Sequence, residues 1–124
     1  MNDTQQPMHL NVERALEMIG DPVTVLKILG MAQAALRRDT ERLPALLAAG
    51  DVAAAAGILH TLKGMLPLFC SDSLVQQVSA CERAAKAAGA ADGLPLYPEV
   101  GAQLKTLLAE IDAYLAGLPP VPLQ

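Results

Sequence analysis

Leu59-His60-Thr61-Leu62-Lys63-Gly64 is the stretch on which the fold turns. Wound as a helix from Asp51 to Phe69, at about 100° per residue, the chain around it splits into two unlike faces. Ala53, Ala56, Gly57, Lys63, Gly64 and Pro67 fall within about 60° of the His60 direction. Ala55, Ile58, Leu62, Met65, Leu66 and Phe69 gather on the opposite side as a core stripe. One imidazole therefore stands on a face with one ammonium beside it and little side-chain bulk around it. Such a face presents a nucleophile to a large partner. Gly57 and Gly64 point the same way, because each costs about 1 kcal/mol relative to alanine inside a helix and so calls for a packing or docking reason.

Working outward, the segments on either side are helical too. Alanine and leucine dominate the 124 residues, with one Phe, two Tyr and no Trp, which favours closely packed helices over a sheet. Val12, Leu16 and Ile19 mark a short first helix. Gly20-Asp21-Pro22 then reads as a stop, an N-cap and a first-turn proline. A long helix follows on Val25, Leu26, Leu29, Ala32, Leu36, Leu43, Leu46 and Leu47, with a kink expected at Pro44. Gly50-Asp51 ends it and caps the helix that carries His60.

Ser71, Asp72 and Ser73 are cap-type residues for a fourth helix through Leu74, Val78, Cys81 and Ala85 to Gly89. Gly89 to Pro98 is expected as a loop, and the last helix from Pro98 to Gly117. The fold expected is all-α: an up-down-up-down antiparallel four-helix bundle with a short extra N-terminal helix. Residues 1–124 read as one domain, with residues 1–9 an N-terminal tail and 118–124 an extended proline-rich tail.

His60-Thr61-Leu62-Lys63-Gly64 resembles the His-x-Leu-Lys-Gly signature of histidine-containing phosphotransfer (HPt) domains of bacterial multistep phosphorelays. Leu43 to Asp51 is similar to the family's long helix ending in Ala-x-x-Gly-Asp, and Leu74 with Cys81-Glu82-Arg83-Ala84-Ala85 to its following helix. The resemblance implies that His60 accepts a phosphoryl group from a receiver-domain aspartate and passes it to another receiver. An aspartyl phosphate is already activated, so the acceptor needs a good nucleophile more than a catalytic apparatus; imidazole, with an ordinary pKa near ~6.5, qualifies. Lys63, one turn on, can offset phosphoryl charge as a flexible point charge. Gly57, Gly64, Ala53 and Ala56 leave room for the receiver to approach.

The expected partners are response-regulator receiver domains, with a hybrid sensor histidine kinase as a further candidate, and the protein itself a monomer. No cofactor is expected on this chain; the divalent metal is expected on the receiver. No second acid–base residue is expected near His60. With no kinase motif in view, the chain reads as a phosphocarrier without ATP binding rather than an enzyme. It departs from the family after the Lys-Gly pair, where Met65, Leu66, Pro67 and Cys70-Ser71 stand in place of small residues and a Gly-Ala step. Pro67 removes the backbone bond to Lys63, so a kink or tightening is expected just past the histidine.

Several classes fall away. A net charge of −4 does not suit nucleic-acid binding. Met1 to Met8 lacks a secretory core, and no apolar run approaches the ~20 residues of a membrane span. Cys70 and Cys81, without CxxC spacing, fit a reduced cytoplasmic setting, and no metal-ligand spacing joins them to His9 or His60. His9 reads as solvated, and Arg37, Arg38 and Arg42 as a solvated face paired with Asp39 and Glu41. Three alternatives remain: a merely solvated histidine, a helical-bundle adaptor that binds receiver or kinase domains without carrying phosphate, and a cofactor-binding bundle, which would need ligand pairs on facing helices.

Overall fold

The computed structural model describes residues 7–88 and 90–117, the side chains of 88–96 excepted. Its elements are α1 (Val12–Ile19), α2 (Pro22–Ala48), α3 (Val52–Met65), a 3-10 turn (Leu66–Leu68), α4 (Asp72–Ala88) and α5 (Ala90–Ala116). Helices α2 to α5 close a four-membered ring, each packed on its neighbours, and α1 leans on α2. This is the expected bundle with its extra helix.

Local chemistry sets the helix ends. Asn11 accepts from the Arg14 N–H to cap α1, and Gly20 closes it at a φ of +93°. Asp21 caps α2 through the Thr24 N–H, with Pro22 in the first turn where its missing N–H costs nothing. Gly50, at a φ of +79°, turns the chain so that Asp51 can cap α3 through the Ala54 N–H. Helix α2 continues unbroken through Pro44. Past Lys63 the α-helix does tighten, passing into the 3-10 turn at Leu66 just before Pro67.

The core is leucine-rich: Leu29, Leu36, Leu43 and Leu47 from α2 meet Leu59 and Leu62 from α3, Leu74 and Val78 from α4, and Leu104, Leu107 and Ile111 from α5. Phe69, fully buried, plugs the bundle where the 3-10 turn leads into α4. Arg37 pairs with Asp112 across α2 and α5, whereas Arg38 pairs with its neighbour Asp39.

Three expectations are corrected. Residues 90–98 belong to α5, not to a loop. A proline's φ is helical, so Pro95 and Pro98 each remove one backbone N–H, and burial of Tyr97 and Val100 against the core offsets that loss. His9 is not solvated: it is buried, its ring hydrogen-bonded to Ser71 Oγ and Gln103 Oε1. Residues 7–9 are therefore not a free tail. The backbone N–H groups of Met8, His9 and Leu10 donate to the Glu110 carboxylate, Ser71 N–H donates to the His9 carbonyl, and Asn11 N–H donates to the Phe69 carbonyl. The tails expected over residues 1–6 and 118–124 lie outside the described residues.

Phe69→Ala removes the largest fully buried side chain and leaves a cavity in the core. It is expected to cost about 3–5 kcal/mol, read as a lower midpoint in urea unfolding with an unchanged slope.

Candidate functional site

His60 projects from α3 with its side chain 65% exposed, yet one edge of the ring is firmly held. Its Nδ1 lies 3.0 Å from Oε2 of Glu82, a carboxylate on α4 whose side chain is only 2% exposed. The same carboxylate draws in two ammoniums: Lys63 Nζ stands 2.8 Å from Oε1, and Lys86 Nζ 2.7 Å from Oε2. The Lys63 ammonium, then that of Lys86, hold the Glu82 pKa down at about 2 against the opposing effect of burial, and the His60 hydrogen bond adds to the lowering.

An ionised carboxylate only accepts, so His60 Nδ1 must carry the proton it donates. In the neutral ring the lone pair is then on Nε2, which has no hydrogen-bond partner among the described residues. The geometry fixes both the tautomer and the direction of the free nitrogen.

The remaining candidates surround this ring in different ways. Gly57 and Gly64 are exposed, and a Cβ added at either would meet nothing within 4 Å. Neither glycine is needed for internal packing, unlike Gly101, whose Cβ would stand 2.8 Å from the Tyr97 ring. Ala53 is exposed, but Ala56 is buried and forms floor rather than open face. With Val52, Gly57, His60 and Lys86 these alanines line a shallow, largely apolar depression at the N-terminal end of α3. Lys63 is half-buried against Glu82.

Glu82 corrects the expectation that no second acid–base residue stands near His60, and Lys86 comes with it. The sequence did carry a signal. Glu82 follows Val78 by four residues, inside the apolar stripe of Leu74, Val78, Cys81 and Ala85. A carboxylate in a core stripe needs partners. Cys70 and Cys81 are both buried free thiols; burial pushes Cys70 up to about 12 and raises Cys81, so neither is a nucleophile or a ready ligand. Among the described residues no cluster of His, Cys, Asp and Glu could hold a metal, and no helix is long and apolar enough to cross a membrane.

The family model described as Hpt domain matches residues 27–114, which takes in α3, α4 and every residue of this site. Comparison with curated proteins and with solved structures gives no match.

Two outcomes follow from the site's physics. Because the space around Gly57 and Gly64 is open, Gly57→Ala and Gly64→Ala should each raise stability by about 0.5–1 kcal/mol in urea unfolding. Glu82 sits below its ordinary value of 4.5, so between that pH and about 2 the unfolded chain binds more protons than the folded one. Its contribution is whole above pH ~4.5 and is lost as pH falls through about 2. The stability gap between the wild type and Glu82→Gln should therefore be widest near neutrality and close progressively on acidification.

Proposed function

The chain belongs to the Hpt domain family, and from that premise we propose that it is a cytoplasmic phosphocarrier in which His60 exchanges a phosphoryl group with receiver-domain aspartates. Hpt domains act in histidine phosphotransfer within phosphorelays, as carriers and not as enzymes in the usual sense, and their partners are receiver domains. The observation that supports the assignment to His60 is its Nε2, without a partner among the described residues, on an exposed ring whose other nitrogen is tied to a buried carboxylate.

In the forward step the Nε2 lone pair attacks the phosphorus of the aspartyl phosphate. The P–O bond to the aspartate breaks, and its electron pair leaves on the carboxylate. The Nδ1 proton stays where it is, so the phosphorylated ring becomes cationic and leans on Glu82. No proton has to leave, and the reverse step onto a second receiver follows the same path. Lys63, next to the ring on the same face, offsets charge on the group in transit. Gly57 and Gly64 keep the approach clear, while Ala53 and Ala56 give the receiver a shallow apolar seat. The receiver brings its own divalent cation to the aspartate.

The test starts with receiver domains phosphorylated by acetyl phosphate and mixed with the protein. Phosphate that is acid-labile and alkali-stable should appear on the wild type and be absent from His60→Gln. Lys63→Ala should slow transfer about tenfold or more while leaving helix content unchanged. Tight receiver binding without phosphate on the protein would instead make this bundle an adaptor.

A further inference from the structure

We propose that His9 is a positioning residue for phosphotransfer at His60: it locks the start of α4 to α5 and so keeps Glu82 in register with the imidazole. The proposal rests on the reading of His60 as the phosphoryl acceptor and gives that residue a remote support. His9 is buried with both ring nitrogens engaged, Nδ1 with Ser71 Oγ at 2.9 Å and Nε2 with Gln103 Oε1. This chain of bonds has one polarity. Gln103 Nε2 donates to Glu99 Oε2 at 3.1 Å, so Gln103 Oε1 accepts and His9 Nε2 carries the proton. Ser71 Oγ accepts from the Leu74 N–H at 3.4 Å, which leaves the hydroxyl proton for His9 Nδ1. The neutral ring is therefore held in the Nε2–H form, the opposite tautomer to that of His60.

Ser71 stands at the N-cap of α4, its carbonyl accepting the Val75 N–H and its Oγ the Leu74 N–H. His9 thus ties the first turn of α4 to Gln103 in α5. Glu82 lies on the same rod about 16 Å further on. A hydrogen-bonded helix is stiff along its axis, so a slide at its start arrives at Glu82 undiminished. The core side chains that α4 and α5 bring together, among them Leu74, Val78, Val100, Leu104 and Leu107, make no directional bonds. A satisfied buried polar network does, and it singles out one arrangement of the elements it joins. A slide of about 0.5 Å would take the 3.0 Å bond between His60 Nδ1 and Glu82 to the edge of hydrogen bonding. The hold on the His60 tautomer, and the aim of its Nε2, would go with that bond.

The chain has two histidines, so long-range proton–nitrogen NMR reads both rings at once. At pH ~8, where an ordinary imidazole is neutral, His9 should show Nε2–H and His60 Nδ1–H. In His9→Ala the His60 ring nitrogens should move toward a mixture of tautomers. Phosphotransfer from a saturating phosphorylated receiver should slow about three- to tenfold, with the half-saturating receiver concentration unchanged. Ser71→Ala, which removes the hydroxyl alone, should give the same pattern at smaller amplitude, and it decides the matter if His9→Ala does not fold. Lower stability in these variants with the His60 ring and the saturated rate unaltered makes His9 structural only and overturns the proposal. So does a His9 ring that carries its proton on Nδ1. If the wild type takes no phosphate from any receiver, the carrier reading fails instead, and the His60 ring nitrogens still decide whether His9 positions them.

Discussion

A single buried carboxylate organises the working face of this protein. Glu82 lies inside the α3–α4 seam, and a charge in that position must be paired or it costs several kcal/mol. Its partners come from both helices: the His60 ring and Lys63 from α3, Lys86 from its own α4. Satisfying one acidic group therefore fixes the tautomer of the imidazole, the outward direction of Nε2 and the position of two cations. Removing one partner would leave the others redistributed around the same charge, so the four residues act as a unit. Among the described residues the imidazole is held by one edge and bare at the other.

The register of α3 against α4 is what allows this pairing, and the bundle fixes it from a distance. The connection between the two helices is short and stiff, with Pro67 in a 3-10 turn and Phe69 driven into the core. The segment before α1 then fastens that connection to α5. Leu10 bridges to Cys70, Ser71 is bonded to His9 at both backbone and side chain, and Glu110 takes the N–H groups of three successive residues. Buried polar groups of this kind specify one arrangement more than they add stability. Here they clamp the end of the bundle nearest the turn, away from the depression at the other end of α3.

Much of this was legible in the residues. The period-3.6 stripes, the Gly-Asp caps and the lone histidine among small residues foretold the helices, their ends and the open face, because each rests on local geometry. What escaped was tertiary. The partnership of His60 with Glu82 joins residues 22 apart, and no local spacing reports it. The burial of His9 is hidden for the same reason, its partners Ser71 and Gln103 lying far along the chain. The helical course of residues 90–98 was missed because glycine and proline weigh heavily as local breakers, whereas burial of Tyr97 and Val100 decides the matter only in the folded bundle.

The site's economy follows from the reaction it suits. A carrier must give up its phosphoryl group as readily as it takes it, so deep stabilisation of either state would stop the relay. Donors at the bare edge of the ring are accordingly few, and the charges of Glu82, Lys63 and Lys86 gather at its other edge. The open ground is kept by residues that forgo stability: two helical glycines with empty space where a Cβ would be, and alanines where larger side chains would have enlarged the core. The bundle can bear those losses because its leucine core and clamped α3–α4 turn lie away from that face. Exposure of Nε2 is therefore a property the whole fold sustains, and it lasts only as long as Glu82 stays buried and paired.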